Sequence, residues 1–513
     1  MEIHHNRGKL MWASFLTLIA AGIGFAIRGG ILTDWGNQFG FTQSELGTIT
    51  GGGLVGFGIV ILLASQITDR LGYKPILLIA CLLHLLSVVV TLAATPIFHA
   101  GGKAATFQCL YWGMFMFAVA NGLCEAVINP LIANIYPEKK THYLNMLHAG
   151  WPGGLVLGGL LAYALVGNVR WEIPIALYAI PSVWYGLIVI GQPFPKSDVT
   201  KAGISYGQML TEFASPVLLS LLMLQACVGY VELGTDSWIA NITNSVLSGQ
   251  GLLLFVYAAS IMFVLRFFAG PIVERINPLG LLCASTVLGT SGLLLLGSSS
   301  SAAWMWIAVT IYGFGKTFLW PTMLGVVGER FPRGGAITMG AVGAAGALSG
   351  GLLGGPGIGY KQDSYATAQL KEVSTETYER YRAPNENGFL FFPKVRGLDG
   401  QKVGVLLEST DDLWTPAKTL DADYQIAAQR DDIPEDLQTL KTWWNDVGQP
   451  ASSADKELVA DARIFGGQMA LRLTAVVPGV MFLGYLLLVL HFRAQGGYRT
   501  VDLAGEATHE RSD

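Results

Sequence analysis

Apolar stretches about as long as a lipid bilayer is thick dominate this sequence and constrain its fold more than any other feature. Crossing roughly 30 Å of hydrocarbon takes about 20 helical residues. Such stretches lie near 10–32, 46–66, 75–95, 107–133, 144–166, 172–191, 215–240, 250–272, 279–297, 302–326, 335–355 and 468–491. Many hold internal Gly and Pro, which membrane helices tolerate and which allow close helix contact. Composition agrees: 52% of residues are hydrophobic and only 13% charged, against roughly 25% charged in soluble domains. The pattern predicts an all-α polytopic membrane protein with twelve transmembrane helices. The first stretch is too long for the apolar core of a cleaved signal peptide and reads as a retained span.

Lys and Arg in the short loops set the expected orientation. The two tails and the loops holding Arg70/Lys74, Lys139/Lys140, Lys196/Lys201, Arg275 and Arg330/Arg333 carry fourteen basic residues, and the opposite short loops carry two, Lys103 and Arg170. Both termini are therefore expected in the cytoplasm. The net charge of −4 is unevenly laid out, because 19 of the 36 acids and 12 of the 32 bases lie between Lys361 and Arg463. Residues 356–467 are expected to form a small folded, acidic, extracytoplasmic insert between helices 11 and 12. Its helix-favouring stretches are 371–382 and 433–444, and its apolar anchors are Phe389, Phe391, Phe392, Trp414, Trp443 and Trp444. The expected organisation is an N-terminal six-helix half (1–191), a cytoplasmic linker (192–214), helices 7–11 (215–355), the insert (356–467), helix 12 (468–491) and a cytoplasmic tail (492–513).

The chain also repeats itself. Asp69-Arg70 follows helix 2 and Glu274-Arg275 follows helix 8, while Glu125 and Lys316 each stand five residues before a proline, Pro130 and Pro321. Two six-helix halves related by an axis along the membrane normal account for this. Asp69-Arg70-Leu71-Gly72-Tyr73-Lys74 is similar to the Gly-x-Leu-x-Asp-Arg-x-Gly-Arg-Lys signature of the major facilitator superfamily, departing from it at Ser65 and Tyr73. Within that superfamily, Gly122-Leu123-Cys124-Glu125, Asn129-Pro130, Leu144-Asn145, Arg266-Phe267 and Pro321-Thr322 resemble the fucose permease and glucose/galactose transporter group. The insert has no counterpart in either. The resemblance implies a major facilitator fold, alternating access, and a proton-coupling role for Glu125, the helix 4 glutamate. That group also carries an acid late in helix 1, where this chain has Arg28, so a two-carboxylate relay does not transfer.

Ionisable residues inside spans are costly and mark candidate sites. Here they are Arg28, Glu125, Glu232, Asp236, Arg266, Lys316 and Arg472. Lys316 falls near the middle of helix 10, and Glu125 and Glu232 within roughly 8 Å of their helix centres. Glu125 and Lys316 are pseudo-equivalent, so both could face the cavity and pair directly or through water; the alternative is that Lys316 points elsewhere and binds carbonyls. Asn129, one turn from Glu125, joins His148, Trp151 and Trp238 as the remaining expected substrate contacts. Arg28 is expected to meet an anionic substrate or to neutralise Glu232 or Asp236, and Arg472 to snorkel from a helix end. The expected cytoplasmic gate comprises Asp69, Arg70, Lys74, Arg266, Glu274 and Arg275. In it Asp69 latches to basic partners and Arg266 joins Glu274; topogenesis alone is the alternative for Arg70 and Lys74, and the latch is preferred because topology does not need Asp69.

Other function classes find little support. No phosphate-cradling GxxxxGK[ST] loop or H-E-x-x-H motif is present, no basic nucleic-acid stripe appears, and the five cysteines sit in apolar runs without metal-ligand spacing. The expectation is a monomeric, cofactor-free and metal-free secondary transporter, not an enzyme, in a bacterial inner or plasma membrane. It takes up a small polar solute with protons, and a neutral sugar leads. A sugar acid or other organic anion is the alternative, and a transporter-derived sensor is the alternative from another class.

Overall fold

The computed structural model describes residues 6–39, 41, 43–165, 169–244, 246–247, 251–299, 301–407, 420–421, 424–425, 428, 433, 435–501 and 503. They are almost wholly helical. Two isolated antiparallel bridges, Arg382 with Leu398 and Asn387 with Val395, are the only β pairing among them. Nine helical stretches in this set are long and apolar enough to cross a bilayer, and Gly251–Arg266 is apolar but shorter.

Before the linker lie α1 (Arg7–Gly30), α2 (Gln43–Leu71), α3 (Tyr73–Leu92), α4 (Ala94–Ile135), α5 (Lys140–His148), α6 (Gly150–Leu165), α7 (Glu172–Leu177) and α8 (Ala179–Gly191). After it come α9 (Pro216–Gly229), α10 (Gly251–Arg266), α11 (Ala269–Leu296), α12 (Ala302–Lys316), α13 (Leu319–Arg330) and α14 (Gly335–Ser349), then α15 (Gly355–Val373), α16 (Gln449–Thr474) and α17 (Val476–Ala494). Backbone chemistry explains why helix ends and expected spans do not coincide. In α4 the chain bends at Gly102, whose φ of 69° favours glycine. In α11 it bends at Asn277 (φ 54°), whose Oδ1 accepts the Gly280 N–H at 3.0 Å just before Pro278.

Several expected spans are interrupted, 144–166 and 302–326 among them, and proline accounts for these two breaks. A proline removes one helical hydrogen bond and clashes with the carbonyl four residues back. Pro152 points to His148, where α5 ends, and Pro321 points to Thr317, immediately after α12. Both carbonyls are left without their usual intrahelical partner.

The apolar core runs through both parts of the chain, with Val127, Leu131, Leu147, Leu221, Val228, Tyr312, Leu324 and Val342 fully buried. Glycine permits the closest approach. A Cβ on Gly229 would overlap the Gly346 carbonyl, which lets π-helical turns at Tyr230–Gly234 and Gly350–Gly354 lie against each other.

The helix after α14 continues through the second π turn into α15 and packs along α16. Between α15 and α16 a second core forms from Leu370, Tyr378, Tyr381, Val403, Trp444 and Val459. Asp455 is buried here and held by Arg380 through Nε–Oδ2 (2.8 Å) and Nη2–Oδ1 (2.6 Å) contacts, with the Thr377 hydroxyl at 2.8 Å. Of the expected apolar anchors, Trp444 lies in this core, whereas Phe391 is 86% exposed and Phe392 is also exposed. Trp414 falls outside the described residues.

Candidate functional site

The break at Pro152 and the break at Pro321 meet at one side chain. Arg266, the last residue of α10, is buried, and its guanidinium donates Nη1–H to the His148 carbonyl (2.6 Å) and Nε–H to the Thr317 carbonyl (2.8 Å). Its Nη2 reaches Glu232 Oε1 at 3.1 Å. The planar, multi-donor guanidinium satisfies both proline-freed acceptors and a carboxylate at once, which a lysine ammonium on its flexible stem does not match geometrically. One acceptor precedes the 192–214 linker and the others follow it, so Arg266 ties the two parts of the chain together.

The expected pairing of Arg266 with Glu274 is therefore corrected. Glu274 instead meets Lys139 at 2.7 Å on the exposed surface, and this hydrogen bond and charge hold the Lys139 ammonium above its ordinary range. The expected Glu125–Lys316 pair is corrected too. Lys316 Nζ contacts Asp236, on the turn after Glu232, and lies 5.4 Å from the Tyr312 ring centroid. Glu125 is held within α4, where Asn129 Nδ2 donates to its Oε2 at 2.7 Å and to its carbonyl at 3.0 Å. The pseudo-repeat placed both charges five residues before a proline but not their partners. The helix breaks after Lys316 and runs on through Pro130.

Asn129 Oδ1 faces His148 Nε2 at 2.9 Å, and the His148 carbonyl takes the Arg266 bond. A polar chain thus runs from Glu125 through Asn129, His148 and Arg266 to Glu232, all buried in the middle of the molecule.

Arg28 does not reach Glu232 or Asp236. It lies inside the N-terminal part between the Phe117 and Tyr178 rings (4.2 and 4.9 Å), with Nη2 donating to Ser87 Oγ at 3.1 Å. Trp151 packs on Phe25, and the Trp238 indole N–H donates to the Gly355 carbonyl (2.8 Å), away from the buried chain. Arg472 caps a helix end rather than snorkelling, with Nε donating to the Gly297 carbonyl at 2.6 Å.

At the face that carries both termini, the two parts of the chain are fastened at several points. Asp69 Oδ2 accepts the Ala336 N–H at 2.9 Å in the first turn of α14, where a carboxylate also complements the helix dipole. The partner is thus a helix end rather than the basic residue expected. Glu329 Oε1 accepts from the Thr141 hydroxyl (2.6 Å), Lys140 Nζ donates to the Gly328 carbonyl (2.8 Å), and Asn145 Nδ2 donates to Thr322 Oγ1 (3.2 Å). Arg70 sits over the Tyr206 ring in the linker, Lys74 donates to the Ile190 and Gln192 carbonyls at the end of α8, and Arg275 is exposed.

Sequence reading missed several polar residues here. Gln225 is fully buried with neither amide atom partnered, beside Trp320 and Gly346. His84 bridges Asn121 Oδ1 and the Tyr185 hydroxyl, each at 3.0 Å. The two prolines were a usable signal for Arg266's partners; an uncharged Gln in an apolar run carried none. Among the described residues no group of His, Cys, Asp or Glu is arranged to hold a metal ion.

The model of the Major Facilitator Superfamily matches residues 14–355, two thirds of the sequence. The chain belongs to the major facilitator superfamily. Among curated proteins, a gallate transporter from Pseudomonas putida is 26% identical over 181 residues, which is 33% of this chain and 37% of that relative. Among solved structures, the superfamily transporter FucP in its outward conformation aligns with a TM-score of 0.58 at 16% identity, covering 70% of this chain and 92% of its own. The superfamily proton:xylose symporter XylE, bound to 6-bromo-6-deoxy-D-glucose, aligns with a TM-score of 0.62 at 15% identity, covering 72% and 91%. At these identities the structural likeness establishes the major facilitator fold and nothing finer.

Proposed function

We propose that the chain is a proton-coupled symporter of a small neutral sugar, working by alternating access. Twelve crossings form two six-helix halves, both termini lie in the cytoplasm of a plasma membrane, and residues 356–467 lie outside. The observation that carries the reading is the buried chain Glu125–Asn129–His148–Arg266–Glu232, which joins the halves at their centre. Glu125 carries the proton. Its neutral and charged forms differ in how strongly they hold Asn129, and through His148 that difference reaches the fastening made by Arg266. Asp236, Gln225 and Trp320 supply hydrogen-bonding groups and an aromatic face of the kind a sugar needs. The contacts on the terminus-bearing face must break when the site opens to the cytoplasm, and the rocking of two halves about a midplane site provides for that.

A second reading, transport of an organic anion, is supported by the gallate relative and by two buried cations, Arg266 and Lys316. An anion able to displace Asp236 or Glu232 would find a cation already in place. The deciding experiment is uptake into proteoliposomes under an acid-outside gradient. Accumulation of labelled fucose or xylose that a protonophore abolishes is expected. Accumulation of gallate or a uronic acid alone would reverse the two readings, and gradient-independent equilibration would remove proton coupling.

A further inference from the structure

A cavity of about 570 Å³ lies where the outer end of the helix carrying Glu232 and Asp236 meets the segment after residue 355. Its walls come from two sources. Trp238 and Asn241 belong to the part matched by the superfamily model, whereas Tyr360, Gln362, Asn387 and Phe389 lie beyond residue 355, where that match ends. Its volume is in the range of small-molecule sites. The chemistry is mixed. Trp238, Tyr360 and Phe389 offer aromatic surface, and Asn241, Asn387 and Gln362 offer amides. Gln362 lines the space while its Nε2 is buried in the wall with no hydrogen-bond partner. Asp363 and Arg463 both line the space, so it carries no strong net charge.

The walls are well fastened. The Tyr360 hydroxyl donates to the Pro393 carbonyl (2.7 Å), the backbones of Asn387 and Val395 pair twice at 2.8 Å, and Trp238 is fixed by its bond to Gly355. Trp238 stands two residues from Asp236, about 3 Å further along the helix axis. The cavity therefore opens one step outward from the buried Lys316–Asp236 pair.

On the transport reading above, we propose that this cavity is a second, outer binding site that captures a hydroxyl-rich six-membered ring before it moves to the buried centre. Aromatic plates take the apolar face of such a ring, and amides and a carboxylate take its hydroxyls. A sugar and a polyhydroxylated aromatic acid share that chemistry, and the arms of the test separate them.

Glycine provides a clean variant. Gly404 lines the cavity, and a Cβ added there meets nothing within 4 Å, so a side chain can start from this position without a clash and Gly404→Trp is the variant chosen to occupy the space. Gln362→Ala removes one of the amide side chains from the lining. Full-length protein in nanodiscs is titrated with fucose, xylose and gallate, following tryptophan fluorescence and binding stoichiometry by calorimetry, and uptake is measured on the same variants. Two sites per chain are expected in the wild type and one in Gly404→Trp. Gln362→Ala should raise the KM for uptake about tenfold, the effect of roughly 1.4 kcal/mol, with Vmax unchanged. Response to fucose or xylose assigns the site to sugars, and response to gallate alone assigns it to the aromatic acid. A single site in the wild type, or unchanged stoichiometry and KM in both variants, overturns the proposal. Binding that Gly404→Trp abolishes, with no uptake of any probe by the wild type, would instead retain the outer site and reject the transport reading. Elution profile and helical circular dichroism establish that each variant is folded.

Discussion

At the scale of single residues, Arg266 concentrates the most structural consequence. Its three contacts satisfy two carbonyls that prolines have freed and one buried carboxylate. Removing the guanidinium strands Glu232, and breaking a buried pair by deleting one partner costs about 3–5 kcal/mol. Arg266→Ala should accordingly unfold at markedly lower temperature, whereas Arg266→Ala/Glu232→Ala should recover part of the loss because no charge remains unpaired. Thermal unfolding in detergent checks this, and strictly additive losses would mean that the pair does not interact. The same residue shows how far the sequence could be read. Its type and its place in a span marked it as a candidate, but its partners are main-chain atoms, whose availability depends on Pro152 and Pro321 rather than on any charge. Searching for side-chain counter-charges led to Glu274, which the structure places on Lys139 instead.

Among the elements, glycine-on-glycine contact sets the spacing between the helices that begin at Pro216 and Gly335. Gly229 and Gly346 meet backbone to backbone, and Gly346 also makes room for Gln225 Nε2 and the Trp320 ring, which a Cβ would approach to 2.9 and 2.6 Å. Gly229→Ala would set its Cβ against the Gly346 backbone carbonyl, which has no side chain to swing aside, so an overpacking loss of about 1–3 kcal/mol and reduced uptake are expected. Measured thermal stability and transport check it together, and wild-type values for both would contradict the close contact. Helices were the most legible level of the sequence, because apolar length is a strong signal. Their ends were less so. The helix crossing residue 355 does not stop where hydropathy falls, since it packs along α16 and keeps its hydrogen bonds beyond the apolar stretch.

For the whole molecule, the fastenings on the terminus-bearing face hold the two parts of the chain together there. Asp69 on Ala336, Thr141 on Glu329 and Lys139 on Glu274 all join the part before the linker to the part after it. If alternating access operates, locking that face must stop transport without unfolding the protein. Lys139→Cys/Glu274→Cys should lose uptake when oxidised and regain it on reduction, and uptake by the oxidised form equal to that of the reduced form would mean the face need not open. None of these pairs could be chosen from the sequence alone, since they join residues more than a hundred positions apart.

The central claim is that Glu125 couples proton movement to solute movement through Asn129 and His148, and one variant addresses it directly. Glu125→Gln keeps the shape and an oxygen that can accept from Asn129, but it cannot gain or lose a proton. Counterflow exchange and gradient-driven accumulation are measured side by side in proteoliposomes. The account predicts that the variant retains exchange and loses accumulation, and accumulation against a gradient at the wild-type level would contradict it.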